Sequence, residues 1–247
     1  MHGTRQMIFR IIARRWSALI ERLVAATANP EHGQRVVIFI LIAYVAVWTA
    51  YAIIAKATQG INADMAEIFS WGWDLEWGTH KHPPLLPALV SLWFSVFPVS
   101  DEAYYLLAVI SMAVAIYFTW LLSGFWLHGV KRAAVPFLLM LIPFYNFLGL
   151  KFDHNAILIP LWAITTYAFV KSFKTRTILW SVVTGVCAGL AVLAKYWGGQ
   201  ILVVLPAARA GERRARRQPA LALSQILGTL DHHRRLNRSF PATHRLA

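Results

Sequence analysis

A chain of 247 residues carries a formal net charge of +13, yet only 14% of its residues are charged and 58% are hydrophobic. That hydrophobicity excludes a disordered chain, and the low charged fraction departs from soluble domains, where about a quarter of residues are charged. So much apolar sequence is also foreign to the nucleic-acid binders that a pI near 10.4 would otherwise indicate, and the single cysteine, Cys187, excludes a disulfide framework or a multi-cysteine metal site.

What remains is an integral membrane protein of the all-α class, a polytopic bundle of transmembrane helices. Helices are required because each backbone polar group in lipid must be satisfied within its own segment. Residues 1–35 come first and hold six arginines, among them the Arg14–Arg15 pair. This stretch is not a cleavable signal, because that pair interrupts its apolar run and no small-residue cleavage site follows. Phe9 to Ala25 reads either as a basic amphipathic helix on anionic lipid or as a solvated, positively charged leader on the cytoplasmic side.

A membrane domain is expected over residues 36–205, with about five to six spans. Val36 to Ala55 is uncharged and is the first; Tyr104 to Leu127 is the second. Ala133 to Leu150, which contains Pro136 and Pro143, is the third, and Ala156 to Val170 is a short fourth. Ile178 to Ala194 is the fifth, with Gly185 and Gly189 at a spacing that permits close helix contact. A sixth begins at Gly199 and stops after about eight apolar residues, far short of the roughly 20 a span needs. Lysines and arginines divide 11 to 3 between the two sets of connections, which puts the N-terminus in the cytoplasm. Seven of the nine acids before residue 207 fall on the other, outer side. Acids contribute little to topology, so their clustering calls for chemistry there.

The outer loop, residues 56–103, is too long for a simple connection. Trp71, Trp73 and Trp77 suit helices lying at the membrane interface. Asn62 or Asp64 can cap a short helix running through Ser70, and Pro83–Pro84 open another amphipathic stretch. Asp64 and Glu67, three residues apart, share one helix face. Such a pair could act as a general base, bind a divalent cation, or merely complement the helix dipole. His80 and His82 flank Lys81 and are too few for a zinc site; a basic cluster near lipid phosphates fits them better.

These residues resemble a known family. Asp64-Met65-Ala66-Glu67, then Trp77-Gly78, then His82-Pro83-Pro84-Leu85 is similar to the first outer loop of type-C fold membrane glycosyltransferases, the group of the protein O-mannosyltransferases and lipid A aminoarabinose transferases. Phe152-Asp153-His154-Asn155 resembles the turn before that family's fourth span, and Gly189 to Tyr196 its Gly-Leu-Ala-x-Leu-x-Lys-Tyr ending of the fifth. The resemblance implies an enzyme that takes a sugar from a polyprenyl-phosphate donor and passes it to a lipid, glycan or protein acceptor at the outer face of the cell (bacterial inner) membrane. By position, Asp64 and Asp153 would be the catalytic residues, Asp64 as the loop carboxylate that acts as base or orients the acceptor and Asp153 as the second acid of the cavity. Glu67, Lys81, His82, Lys195 and Tyr196 would contact substrate, with Lys195 facing the donor phosphate. Relatives often carry an acid just before the His/Lys-Pro-Pro run. Lys81 stands there instead, so no metal ligand set is predicted, although a divalent cation remains conceivable. The alternative is a non-catalytic lipid-binding or transporter-like membrane protein. Partners are the donor, the acceptor and membrane lipids, and no nucleic acid.

Composition changes at Pro206. Residues 207–247 hold nine arginines, no lysine and two acids, so the tail carries +7 of the +13. This segment reads either as a disordered basic tail or as out-of-frame translation of a GC-rich gene. The aborted sixth span favours the second, and with it a truncated enzyme.

Overall fold

The structure, a computed structural model, describes residues 2–73 and 81–211. Asp74, Glu76, the Trp77–Gly78 pair, His80 and the tail from Glu212 onward lie outside the described residues. The chain divides into two units, Met1–Ile201 and Leu202–Ala247. Residues 202–211, the described part of the second, are helical.

The first unit contains α1 (His2–Ala28), α2 (Gly33–Lys56), α3 (Ala63–Trp71), α4 (Leu85–Val96), α5 (Asp101–Ser123), α6 (Gly129–Met140), α7 (Leu158–Thr175) and α8 (Ile178–Ala194). Short 3-10 turns occupy Pro143–Tyr145 and Tyr196–Gly199, and no strand occurs among the described residues. This is the expected helical membrane bundle. α2 and α5 are long and apolar enough to cross a membrane, with mean hydropathies of 2.5 and 2.1, and α4 and α8 are shorter apolar helices.

The helix ends follow local chemistry. Asn62 Oδ1 accepts the Asp64 backbone N–H at 3.0 Å and caps α3, as expected from sequence. Ser100 Oγ accepts from Ala103 N at 3.3 Å, and Asp101 and Glu102 in the first turn of α5 complement its dipole. α5 packs against α2, α6 and α7, and α7 in turn against α8. α1 rests on α6 and α2.

The apolar residues point outward in a manner suited to lipid. Ile178, Leu179, Val182, Val186 and Leu193 of α8 are exposed, whereas its buried face is Ala188, Ala191 and Ala194. Small residues let helix backbones approach where lipid offers no hydrophobic contrast. The glycine pair whose spacing permits such contact makes none here: a Cβ at Gly185 or Gly189 meets nothing within 4 Å among the described residues. Three alanines at a spacing of three residues make the contact instead.

The third expected span is also shorter than the 133–150 window. α6 ends at Met140 because Pro143 brings no N–H to continue it and forces the preceding Ile142 into an extended conformation (φ −78°, ψ 127°). Asn146 Nδ2 then donates to the Met140 carbonyl at 3.0 Å, and the Tyr44 hydroxyl donates to that of Tyr145. The break releases residues 146–157 as a turn-rich segment at one end of the bundle.

The two ends of the bundle differ chemically. At the far end of α5, Arg132 lies 4.1 Å from the Trp120 ring and Lys174 4.5 Å from Phe125, while Lys171 sits 4.0 Å from Trp180. These cations come from the short basic connections. At the near end α2 and α8 finish, α5 and α7 begin, and the acids gather.

Candidate functional site

The near end is built on a buried aromatic floor. Tyr104, Phe152, Met65, Ile68 and Leu86 are fully buried there. The Tyr104 hydroxyl donates to the Met65 carbonyl at 3.1 Å, and that of Tyr105 to the Gly60 carbonyl at 3.1 Å. Both bonds fasten the segment carrying α3 to the start of α5. Gly60 has φ +63°, a conformation side chains rarely adopt, and this allows the chain to turn from α2 into α3. Trp93 Nε1 donates to the Ala103 carbonyl at 3.0 Å and ties α4 to the same helix.

Above this floor lies a polar cavity of about 110 Å³. α3 supplies Asp64 and Glu67; the turn before α4 supplies Lys81 and His82; the segment before α7 supplies Asp153, His154 and Asn155; the end of α8 supplies Lys195. Six of the seven residues singled out from sequence therefore meet in one place. The seventh, Tyr196, is 63% exposed and does not line the cavity.

The charges are paired. Lys151 Nζ is 2.5 Å from Asp64 Oδ2 and 3.6 Å from Asp153 Oδ2. Lys81 Nζ donates to both Glu67 oxygens, at 3.1 and 2.7 Å. Lys195 Nζ donates to Asn155 Oδ1 at 2.5 Å. The hydrogen bond from Lys151 holds the Asp64 carboxyl below its usual range, and the same bond raises Lys151. Asp153 has a second occupation: its Oδ1 accepts the backbone N–H groups of Asn155 and Ala156, at 2.8 and 2.9 Å, and so shapes the turn into α7.

Two imidazoles form the inner wall. His82 and His154 stack with ring centroids 3.8 Å apart, and Trp71 sits beside them at 6.2 and 6.4 Å. His154 is 5% exposed, and its Nε2 has no hydrogen-bond partner among the described residues. Burial, followed by the neighbouring His82, pushes the His154 pKa down to about 4; burial, then Lys81, lowers that of His82. Both rings are therefore neutral at pH 7, able to donate and accept hydrogen bonds.

Sequence reasoning did not single out Lys151, His154, Asn155 or Trp71. Trp71 was within reach, because positions 64, 67 and 71 recur at helical spacing on one face of α3. Among the described residues no group of three or more His, Cys, Asp or Glu is placed to hold a metal ion. Among the described residues, Lys81 and Lys151 are paired with Glu67 and Asp64, two of the carboxylates that a divalent cation would use.

Lys195 owes its place to Gly198. After α8 the chain extends through Lys195 (φ −158°, ψ 136°) and tightens into the 3-10 turn, where a Cβ on Gly198 would lie 1.9 Å from the Ala191 carbonyl oxygen. Trp162 Nε1 secures the turn by donating to the Gly198 carbonyl at 3.2 Å. Gly198→Ala must push the turn off α8 and should cost about 1–3 kcal/mol, as overpacking does. A lowered thermal midpoint in detergent checks this; an unchanged one would show the turn to be loosely held.

Comparison with known proteins gives one family. The model of the dolichyl-phosphate-mannose-protein mannosyltransferases matches residues 81–223, a segment that includes Lys81, His82, Asp153 and Lys195 and begins after Asp64 and Glu67. No curated protein and no solved structure matches the chain. The match covers more than half of the 247 residues, and the chain belongs to the dolichyl-phosphate-mannose-protein mannosyltransferase family of membrane glycosyltransferases.

Proposed function

We propose that the protein transfers a sugar from a polyprenyl-phosphate-linked donor to an acceptor hydroxyl at the outer face of the cell membrane, as a multi-pass protein with its N-terminus in the cytoplasm. The observation that carries this reading is the convergence of Asp64, Glu67, Lys81, His82, Asp153 and Lys195 on one cavity at the end of the bundle away from the basic connections. The 11 to 3 division of basic residues supports an outward position for that end.

In the reaction the acceptor oxygen attacks the anomeric carbon. The bond from that carbon to the phosphate oxygen breaks, and its electron pair leaves with the phosphate. Asp64, whose side chain is 48% exposed beside Lys151, takes the acceptor proton. Lys195 and Lys81 offer positive charge, and neutral His82 a hydrogen bond, to the departing phosphate, where charge develops. Asp153 is a positioning residue, holding the turn that presents His154 and Asn155. Tyr196 takes no part in these steps from its exposed position. The acceptor is a lipid, a glycan or a protein.

A transporter would place polar groups in broken helices near the bilayer midplane; here they lie at the end of the bundle, which favours transfer. The deciding experiment reconstitutes the protein in vesicles with a panel of synthetic radiolabelled polyprenyl-phosphate sugars. Label appearing in lipid, glycan or protein products is the expected result. Uptake of free solute without any transfer would replace this reading with transport.

A further inference from the structure

The end of the bundle opposite the transfer cavity carries cations without counter-charges. Lys131 and Arg132 lie in the first turn of α6, Lys171 and Lys174 in the last turns of α7, and Arg176 just beyond it. The sequence has no acid between Glu102 and Asp153 and none between Asp153 and Glu212, so neither connection answers its own charge. α1, which packs on α6, offers Glu21, and Glu31 follows it. Among the described residues, no carboxylate pairs with any of these five cations.

Three of the cations are held on one aromatic network. Arg132 sits over Trp120, Lys171 over Trp180 and Lys174 over Phe125. Tyr167 joins these rings: it stacks on Phe125 at 5.7 Å, meets Trp180 edge-on at 5.6 Å, and connects to Trp120 through Phe118 and Tyr117. The two lysines bond neutral oxygens, the Tyr167 hydroxyl at 2.8 Å and the Phe125 carbonyl at 3.5 Å. Arg132 has its own seat. A Cβ on Gly124 would lie 2.7 Å from Arg132 Cζ, so the guanidinium fits because residue 124 has no side chain. Its Nε is buried with no hydrogen-bond partner among the described residues. A guanidinium fixed in this way, with a planar fork of donors and no carboxylate, is complementary to an anion with several oxygens.

We infer that this end of the bundle binds the phosphate head of an anionic glycerophospholipid from the surrounding leaflet, with Arg132 as principal donor and Lys171 and Lys174 as flanking charges. A lipid suits the place better than a free anion. The same two connections expose Trp126, Val130, Ile178 and Leu179, apolar side chains fit to lie beside acyl chains, and basic clusters at the ends of membrane helices attract anionic heads. The site is separate from the sugar-transfer cavity, because α5, 23 residues or about 35 Å long, runs between them.

The test uses the whole protein, delipidated in a neutral detergent, with phosphatidylglycerol added and bound lipid counted by native mass spectrometry. Wild type should bind phosphatidylglycerol about tenfold more tightly than phosphatidylcholine, whose head has no net charge. Arg132→Gln should lose about tenfold in that affinity, as removal of charge-assisted hydrogen bonds does. Lys131→Gln removes the same charge from the exposed neighbouring position and should change it by less than about twofold, as expected for a screened surface charge. Gly124→Ala keeps every charge and displaces only the end of a flexible side chain, so the fold should hold while phosphatidylglycerol binding weakens. Thermal midpoints without lipid check that each variant is folded. Equal losses in Lys131→Gln and Arg132→Gln would mean a diffuse positive surface and overturn the site, as would unchanged binding in Gly124→Ala. Wild-type protein that does not distinguish the two lipids, or that releases phosphatidylglycerol to an equal concentration of inorganic phosphate, would overturn the lipid assignment. None of these outcomes bears on sugar transfer.

Discussion

Asp64→Asn should lower sugar transfer by about 10²–10⁴-fold, the range that a positioned general base supplies. The substitution is close to isosteric and leaves the α3 cap intact, because Asn62 bonds the backbone N–H of residue 64 and not its side chain. What changes is charge: the acceptor proton loses its destination, and Lys151 loses its close carboxylate partner. Glu67→Gln should cost less. Both Glu67 oxygens already accept from Lys81, so its carboxylate is engaged in holding that lysine, whereas Lys151 meets Asp64 through Oδ2. Initial rates with the transferable donor, measured beside membrane insertion and thermal midpoint, check both variants. An Asp64→Asn enzyme retaining half its activity would remove the base assignment.

The bundle and much of the site were legible because each left a local mark. α2 is an uncharged apolar run, α3 follows an Asx cap, and α4 opens after a proline pair, all of which are encoded within a few residues. Asp64 and Glu67 could be assigned to a common face by spacing alone. The gathering of Lys81, Asp153 and Lys195 around them could not. That depends on α2, α4, α7 and α8 having their relevant ends at the same level of the bundle, which a topology count supports but does not require. Lys151 escaped notice because its meaning is a contact across 87 positions in sequence; considered by itself it is one more outward cation. His154 was inside a recognised motif and still was not singled out, since nothing in Phe152-Asp153-His154-Asn155 reveals that this ring is buried against His82. The misplaced expectation has an equally physical origin: Pro143 was included in a span that it terminates. Of the two readings open for Gly185 and Gly189, the contact is made by the alanines one face over.

The buried imidazole pair should make the fold acid-sensitive. An unfolded histidine titrates near 6.5, whereas His154 in the folded protein is pushed down to about 4 by burial and by His82, against the pull of Asp153 and Glu67 and with the added push of Lys195. Between those two values the unfolded chain binds the additional proton, so stability rises with pH across this window and is lost as pH falls through it. Each unit of difference is worth about 1.4 kcal/mol, which makes His154 responsible for roughly 3 kcal/mol of stability at pH 7 that is gone near pH 4. His82 is lowered for related reasons and acts in the same direction. The depressed Asp64 carboxyl acts in the same direction, but only toward the bottom of this window and below it, where the unfolded carboxylate begins to bind its proton. Wild-type protein should therefore show a thermal midpoint that drops steadily from pH 7 to pH 4.5. His154→Phe, which keeps an aromatic ring beside His82 and Trp71 but binds no proton, should flatten most of that slope. A variant with the full wild-type slope would place the acid sensitivity elsewhere and remove the buried imidazole as its cause.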